Sequence, residues 1–425
     1  MAMIIKAPQV LIKGQFQPAE ILIKAGKIAQ IAPQIAGGSK PVVEFSDKVI
    51  VPGLVDVHVH LREPGLTDKE TIHTGSLAAA HGGYTTIAAM PNVDPVPDTP
   101  ERIAQMQELN QRTGVVHILQ YASITKRRQG HELGDYPQLK AAGAFGLSDD
   151  GSGIQSAQVM YQAMQAAAQA GLPLMAHVED HSLLNQGVMN AGPMAQRLHL
   201  PGIPEVSETA QLARDLELAA ATGVHYHACH LSTARSVELV REAKRRGVAV
   251  SAEVTPHHLL LDDSMITDDN PLWKMNPPLR TLADRQSLLG GLFDGTIDMI
   301  ATDHAPHTAR DKGDSMINSA FGITGLETSF ALLYTHLVQP GICSLEQLIQ
   351  WMSTNPAQVF NLTDAGQIAV GQPADLTVLD LQKTTTIKVS EMKSKGKNTP
   401  FANVPVHGQV VRTMVAGRWV DLEEE

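Results

Sequence analysis

His58 and His60 stand one residue apart in the run Asp56-Val57-His58-Val59-His60. In an extended strand successive side chains leave opposite faces, so these two imidazoles share one face. Two neighbouring imidazoles are what a divalent zinc ion takes as nitrogen ligands. A lone His-x-His pair is weak evidence, and further groups of ligand type are needed. His177, His230, Ser148-Asp149-Asp150 and Thr302-Asp303-His304 supply them. Taken singly, His177 and His230 read as packed core histidines. Asp149 and Asp150 are adjacent on an extended chain and point opposite ways. One ligand and one structural or helix-capping aspartate are expected, and spacing does not choose between them.

What gathers these groups is the order of elements around them. From 53 to 363, short apolar or β-branched runs alternate with helix formers. The runs are Leu54–Val57, Thr85–Ala89, His117–Tyr121, Ala144–Leu147, Pro173–Ala176, His225–Ala228, Val248–Ala252 and Asp298–Ala301. Ser156–Ala170 and Ser232–Arg246 read as helices between them. Eight strands alternating with helices predict an α/β fold, a (β/α)8 barrel. A doubly wound sheet is the alternative, but no glycine-rich phosphate turn follows the first strand. In a barrel the active site lies at the C-terminal strand ends. The candidate ligands fall there on strands one, four, five, six and eight, a conjunction much stronger than any one histidine.

The chain ends have a different texture. Val10–Ile12, Ala19–Ile23, Ile28–Ile31 and Val42–Phe45 are short β runs broken by Gly26, Pro33, Gly37 and Gly38. Ala374–Leu379 and Val410–Val415 look alike, with a short turn before Trp419. Both ends are expected to pair into one small β-sandwich domain, 1–52 plus 364–425, around the barrel of 53–363. At 425 residues, the chain exceeds one ordinary core unless the fold is a large barrel. The net charge of −11 argues against nucleic acid or anionic membrane as a partner. No apolar run is long enough to span a bilayer and the N-terminus lacks a signal peptide, so a cytoplasmic location is expected. Two cysteines make no disulfide framework, and Cys229 reads as a small buried hydrophobe.

The pattern of Asp56–His60, Leu61-Arg62-Glu63-Pro64-Gly65, Met90-Pro91-Asn92 and Asp303-His304-Ala305-Pro306-His307 resembles the amidohydrolase superfamily. More narrowly it resembles the long, type I bacterial dihydroorotases, along essentially the whole chain. The resemblance implies two zinc ions per subunit: one on His58, His60 and Asp303, the other on His177 and His230, with Asp150 bridging. Many relatives bridge with a carbamylated lysine near the end of strand four. The stretch Ala144–Asp150 offers none, which fits the aspartate bridge of type I enzymes. Arg62, Asn92 and His307 would hold the substrate carboxylate, Asn276 the ring, and the backbone of Phe321 and Gly322 would close over it; His60 would also touch the substrate. Arginine offers a planar fork to a carboxylate, and asparagine donates and accepts across a cyclic ureide. From the residues alone, Arg62 could be a surface ion-pair group and Asn276 the start of a proline-rich turn.

The implied activity is zinc-dependent interconversion of (S)-dihydroorotate and N-carbamoyl-L-aspartate in pyrimidine biosynthesis. A water bridging two zinc ions ionises at a pH of about 7. That hydroxide would attack the ring amide, with Asp303 as general acid and base. Two zinc ions, Asp150, Asp303 and one hydroxide leave a net positive pocket before Arg62 is added, which suits an anionic substrate. The stretch after His307, 308–320, is expected to be a mobile lid, an ordinary barrel loop being the alternative. A hydantoinase or dihydropyrimidinase is the rival among enzymes. A non-catalytic scaffold of aspartate transcarbamoylase is the rival outside them, although no ligand is missing. The sequence leaves open a homodimer and an aspartate transcarbamoylase partner.

Overall fold

The structure is a computed structural model and describes residues 2–38 and 40–423. Its N-terminal strands are β1 (Ala2–Ile12), β2 (Gln15–Lys24), β3 (Lys27–Ala32), β4 (Val42–Glu44) and β5 (Val49–Pro52). The barrel strands follow: β6 (Leu54–Val59), β7 (Tyr84–Ala89), β8 (His117–Ala122), β9 (Gly146–Ser148) and β10 (Leu174–Ala176). A two-stranded excursion, β11 (Met189–Asn190) with β12 (Gly202–Ile203), precedes β13 (Tyr226–Ala228), β14 (Val250–Val254) and β15 (Met299–Ile300). The last strands are β16 (Leu376–Thr386), β17 (Pro405–Val415) and β18 (Arg418–Trp419).

The barrel runs in the order β6-β7-β8-β9-β10-β13-β14-β15, every neighbouring pair parallel. Parallel strands are covered on both faces, which is why β6, β7 and β14 are buried at every position. Closure comes just beyond β15, where the His60 N–H donates to the His304 carbonyl at 2.9 Å. Buried Asp56 reinforces it, accepting from the His58 N–H at 3.0 Å and the Thr302 N–H at 3.2 Å. These contacts put the ends of the first and eighth strands side by side.

Strands from both chain ends share one sheet, β18-β17-β16-β5-β1-β2-β3, with β4 added alongside β1. Its inward residues, among them Ile21, Ile23, Ile50, Leu376, Val378 and Met414, form a core distinct from that of the barrel. Strand β1 is longer than the Val10–Ile12 run suggested. Lys6, Pro8 and Gln9 break the apolar pattern; Lys6 pairs regularly with Glu20, and a register shift between Ala7 and Val10 absorbs Pro8 and Gln9. The short turn expected before Trp419 falls at Ala416–Gly417, and Trp419 then pairs with Met414 in β18.

The two predicted helices form within a residue or two of their expected ends. Ala157–Ala170 starts at Ser156, whose side chain accepts from the Val159 N–H, and stops at Gly171 with φ 63°. Ala234–Arg245 starts at Thr233 in the same way. Among the described residues, no helix is long and apolar enough to cross a membrane.

Candidate metal centre and active site

His58 lies near the end of β6 and His60 directly after it, His177 follows β10, and His230 lies two residues beyond β13. Asp150 follows β9 and Asp303 follows β15. All six are buried and converge on one point at the barrel mouth. Ligand atoms of His58, His60 and Asp303 lie within 4.8 Å of one another, as do those of His58, Asp150 and His230. His177 joins through His230, Nδ1 to Nε2 at 3.0 Å, and lies 3.7 Å from Asp150 Oδ1.

The hydrogen-bond network assigns the tautomers of the first pair. His58 Nδ1 donates to Glu253 Oε1 at 2.6 Å, and His60 Nδ1 donates to Asn92 Oδ1 at 2.8 Å. In the neutral ring each Nε2 then offers a lone pair. His60 Nε2 faces Asp303 Oδ1 at 3.0 Å and Asp150 Oδ2 at 3.5 Å; His58 Nε2 faces Asp150 Oδ1 at 3.4 Å and Asp303 Oδ1 at 3.5 Å. Acceptor facing acceptor is repulsive unless positive charge lies between them. Buried His58 Nε2, Asp150 Oδ1 and His230 Nδ1 also lack a hydrogen-bond partner. Burial alone would push Asp303 up, yet His58 and His60 hold it at about 2. Against the same burial, Glu253, Asp150 and Asp303 hold His58 well above the usual imidazole range, so positive charge at Nε2, as a proton or a bound cation, is what the carboxylates favour. The pocket demands cations, and its nitrogen and carboxylate donors fit divalent zinc.

Three of the gathered residues have left-handed backbone: His230 at φ 35°, Asp303 at φ 48° and Arg62 at φ 60°. Non-glycine residues there cost about 1–3 kcal/mol each and concentrate at sites whose surroundings enforce them. Here the chain must turn sharply off a strand end while still aiming the side chain inward.

Asp149 and Asp150 separate as alternation requires. Asp150 faces the histidines, while Asp149 accepts from the Ile124 N–H at 2.9 Å, the Thr125 N–H at 3.2 Å and the Thr125 hydroxyl. Burial raises Asp149 to about 6 against those bonds.

The groups expected to meet a carboxylate lie together. Arg62 is buried, its Nε donating to the Pro306 carbonyl at 3.3 Å and its fork ending 3.5 Å from His307 Nε2. Burial lowers it only to about 10, so it keeps its charge. Burial and Arg62 hold His307 at about 3, so it is neutral, and its one N–H points to the Phe321 carbonyl at 2.8 Å. Asn276 donates to Glu179 Oε1 at 2.7 Å and approaches His177 Nε2 at 3.4 Å. Gly322 has φ 126°, and a Cβ there would fall 2.7 Å from the Ala305 Cβ. Its N–H donates to the Lys274 carbonyl at 3.0 Å. Residues 308–312 form one capped helical turn, and Lys312 Nζ reaches three carbonyls, those of Lys274, Ala320 and Gly322.

The dihydro-orotase-like family profile matches residues 47–236. The curated dihydroorotase of Pediococcus pentosaceus is 57% identical over 420 residues, 99% of each chain. That of Lactiplantibacillus plantarum is 57% identical over 421 residues, 98% of each. This chain belongs to the dihydroorotase family. Dihydroorotases are cyclic amide hydrolases, and the solved structures similar to this chain carry the same architecture. The L-hydantoinase (dihydropyrimidinase) of Arthrobacter aurescens matches with a TM-score of 0.88 at 27% identity, over 98% of this chain and 95% of its own.

For a dihydroorotase, several groups at this site escape sequence reading. Glu253, Glu179 and Asn398 lie on or beyond strands that bear no motif. Glu253, in the run Val250-Ser251-Ala252-Glu253-Val254, had one usable signal: a charge inside an otherwise apolar barrel strand. Cys229 is fully buried beside His58 and Glu253. Burial pushes its thiol up, so it packs as a neutral group.

Proposed function

We propose that this chain interconverts (S)-dihydroorotate and N-carbamoyl-L-aspartate, the ring-forming step of de novo pyrimidine biosynthesis. One observation carries the reading: a charged, buried Arg62 lies next to the cation-demanding cluster of His58, His60, Asp150, His177, His230 and Asp303. That combination fits a cyclic amide bearing a carboxylate. His58, His60 and Asp303 would hold one zinc ion, His177 and His230 the other, and Asp150 both. Bound there, the ions would supply Lewis acidity, which brings water ionisation to a pH of about 7 and polarises an amide carbonyl.

The chain's own groups do the rest. Asp303, through the carboxylate oxygen turned away from the histidines, accepts the proton of the attacking water and passes it to the departing ring nitrogen. Arg62 binds the carboxylate in a bidentate manner. Asn92, whose Oδ1 is taken by His60, has its amide N–H groups left to donate. His307 completes the carboxylate site with Arg62 and Asn92, while Asn276 and the Phe321–Gly322 backbone enclose the ring, with 308–320 as a lid fastened by Lys312. We also read 1–52 with 364–425 as one unit around the barrel of 53–363, which the shared sheet supports.

The test is metal analysis of the purified protein, alongside hydrolysis of dihydroorotate, dihydrouracil and hydantoin. Two equivalents of zinc and a preference for dihydroorotate are expected. Preference for dihydrouracil would replace this reading with a dihydropyrimidinase.

A further inference from the structure

We infer that Asn398 is a positioning residue for substrate binding, a side-chain clamp that sets the spacing between His307 and Gly322. The inference rests on the carboxylate site proposed above. Asn398 lies outside the barrel strands, in the segment between β16 and β17, yet it is 3% exposed and reaches the barrel mouth. Its Oδ1 accepts from the His307 N–H at 2.9 Å, and its Nδ2 donates to the carbonyls of Ala305 and Gly322, both at 3.0 Å. Its own carbonyl accepts from the Thr324 N–H at 2.9 Å. One carboxamide thus joins the loop after β15 to the 321–324 segment. A planar group with one acceptor and two fixed donors suits three backbone partners.

The clamp has a foundation. Glu327 accepts from the N–H groups of Lys393 at 2.6 Å and Ser394 at 3.2 Å. Buried Glu70 accepts from the Lys395 N–H at 3.1 Å and from the Ser394 hydroxyl. Gly396 lies so close to Pro306 that a Cβ there would come within 2.5 Å of the Pro306 Cβ. Residues 393–398 are therefore fastened at both ends across the backbone that carries Asp303 to His307. Sites built this way hold their first contacts through a second layer, and loosening that layer costs binding geometry.

The experiment compares Asn398→Ala, the isosteric Asn398→Asp and Arg62→Met in metal-loaded full-length protein. Zinc content, thermal unfolding, and kcat and KM for dihydroorotate are measured for each. With zinc content kept, both Asn398 variants should raise KM on the order of tenfold while kcat changes much less, the signature of lost uniform binding. Arg62→Met should raise KM further. If Arg62→Met raises KM while both Asn398 variants match wild type, the clamp is overturned and the carboxylate site stands. Should Arg62→Met leave KM unchanged, the carboxylate site fails and takes the clamp with it. A fall in kcat at constant KM, loss of zinc, or failure of both Asn398 variants to fold would assign Asn398 to catalysis, metal retention or stability instead.

Discussion

His58 Nδ1 and Glu253 Oε1 lie 2.6 Å apart, both side chains fully buried, although 195 residues separate them in the chain. Glu253 also accepts from His227 Nε2 at 3.1 Å and from the His230 N–H at 3.2 Å, so one carboxylate orients groups on both sides of the proposed metal pair. The network continues from His227 Nδ1 to the Ser251 hydroxyl at 2.7 Å, which His225 Nε2 also meets at 2.8 Å. Burial alone would raise the Glu253 carboxyl, and His58 and His227 hold it well below the usual range.

Glu253→Gln should therefore weaken zinc binding by about 10–100-fold, because the amide cannot fix the His58 tautomer as a carboxylate does. Competition against a chelator of known affinity measures it. Wild-type affinity in this variant would mean that Glu253 only fills space.

Asp303→Asn should lower kcat on the order of 10² or more, while retaining zinc better than it retains turnover. Steady-state kinetics with parallel metal analysis checks this. Near-normal turnover would remove Asp303 from the proton path.

The adjacent aspartates should behave oppositely. Asp150→Ala should lose metal, having been aimed at four imidazoles. Asp149→Ala should keep metal but lose stability, since each buried donor left unpaired at Ile124 and Thr125 costs about 1–3 kcal/mol. Metal content and denaturant midpoints separate the two, and the reverse pattern would exchange their roles.

His117, at the start of β8, meets Asp375, just before β16, at 3.0 Å and ties the barrel to the terminal sheet. The Asp375 hydrogen bond outweighs burial and raises His117 above its ordinary value of 6.5. A raised histidine stabilises the fold fully below pH about 6.5, and the contribution fades as pH rises through the folded value. The His117 side chain is 44% exposed, so screening keeps the effect below about 1 kcal/mol. The Tm gap between wild type and His117→Gln should be largest near pH 5.5 and shrink by pH 8.5. A gap that widens with pH would contradict the assignment.

Local periodicity made much of this protein legible in its sequence. Alternation along β6 places His58 and His60 on one face whatever the rest of the chain does, and it sends Asp149 and Asp150 apart. Buried parallel strands need continuous apolar runs, so the eight barrel strands could be read, as could the helix formers of Ser156–Ala170 and Ser232–Arg246, whereas the caps at Gly171 and Thr233 came from the structure. Only the tertiary structure decided which aspartate faces the histidines. That depends on the Ile124–Thr125 backbone lying beneath Asp149, a contact fixed by how β8 and β9 pair. Glu253 and Asn398 were hidden for the same reason. Their partners are far away in sequence, and barrel closure at Val59 and His304, with the 393–398 segment laid across it, brings them within hydrogen-bonding reach. The His58-x-His60 pair belongs to the sequence; the carboxylates that give it a cation to hold, and the carboxamide that frames its substrate, belong to the closed barrel.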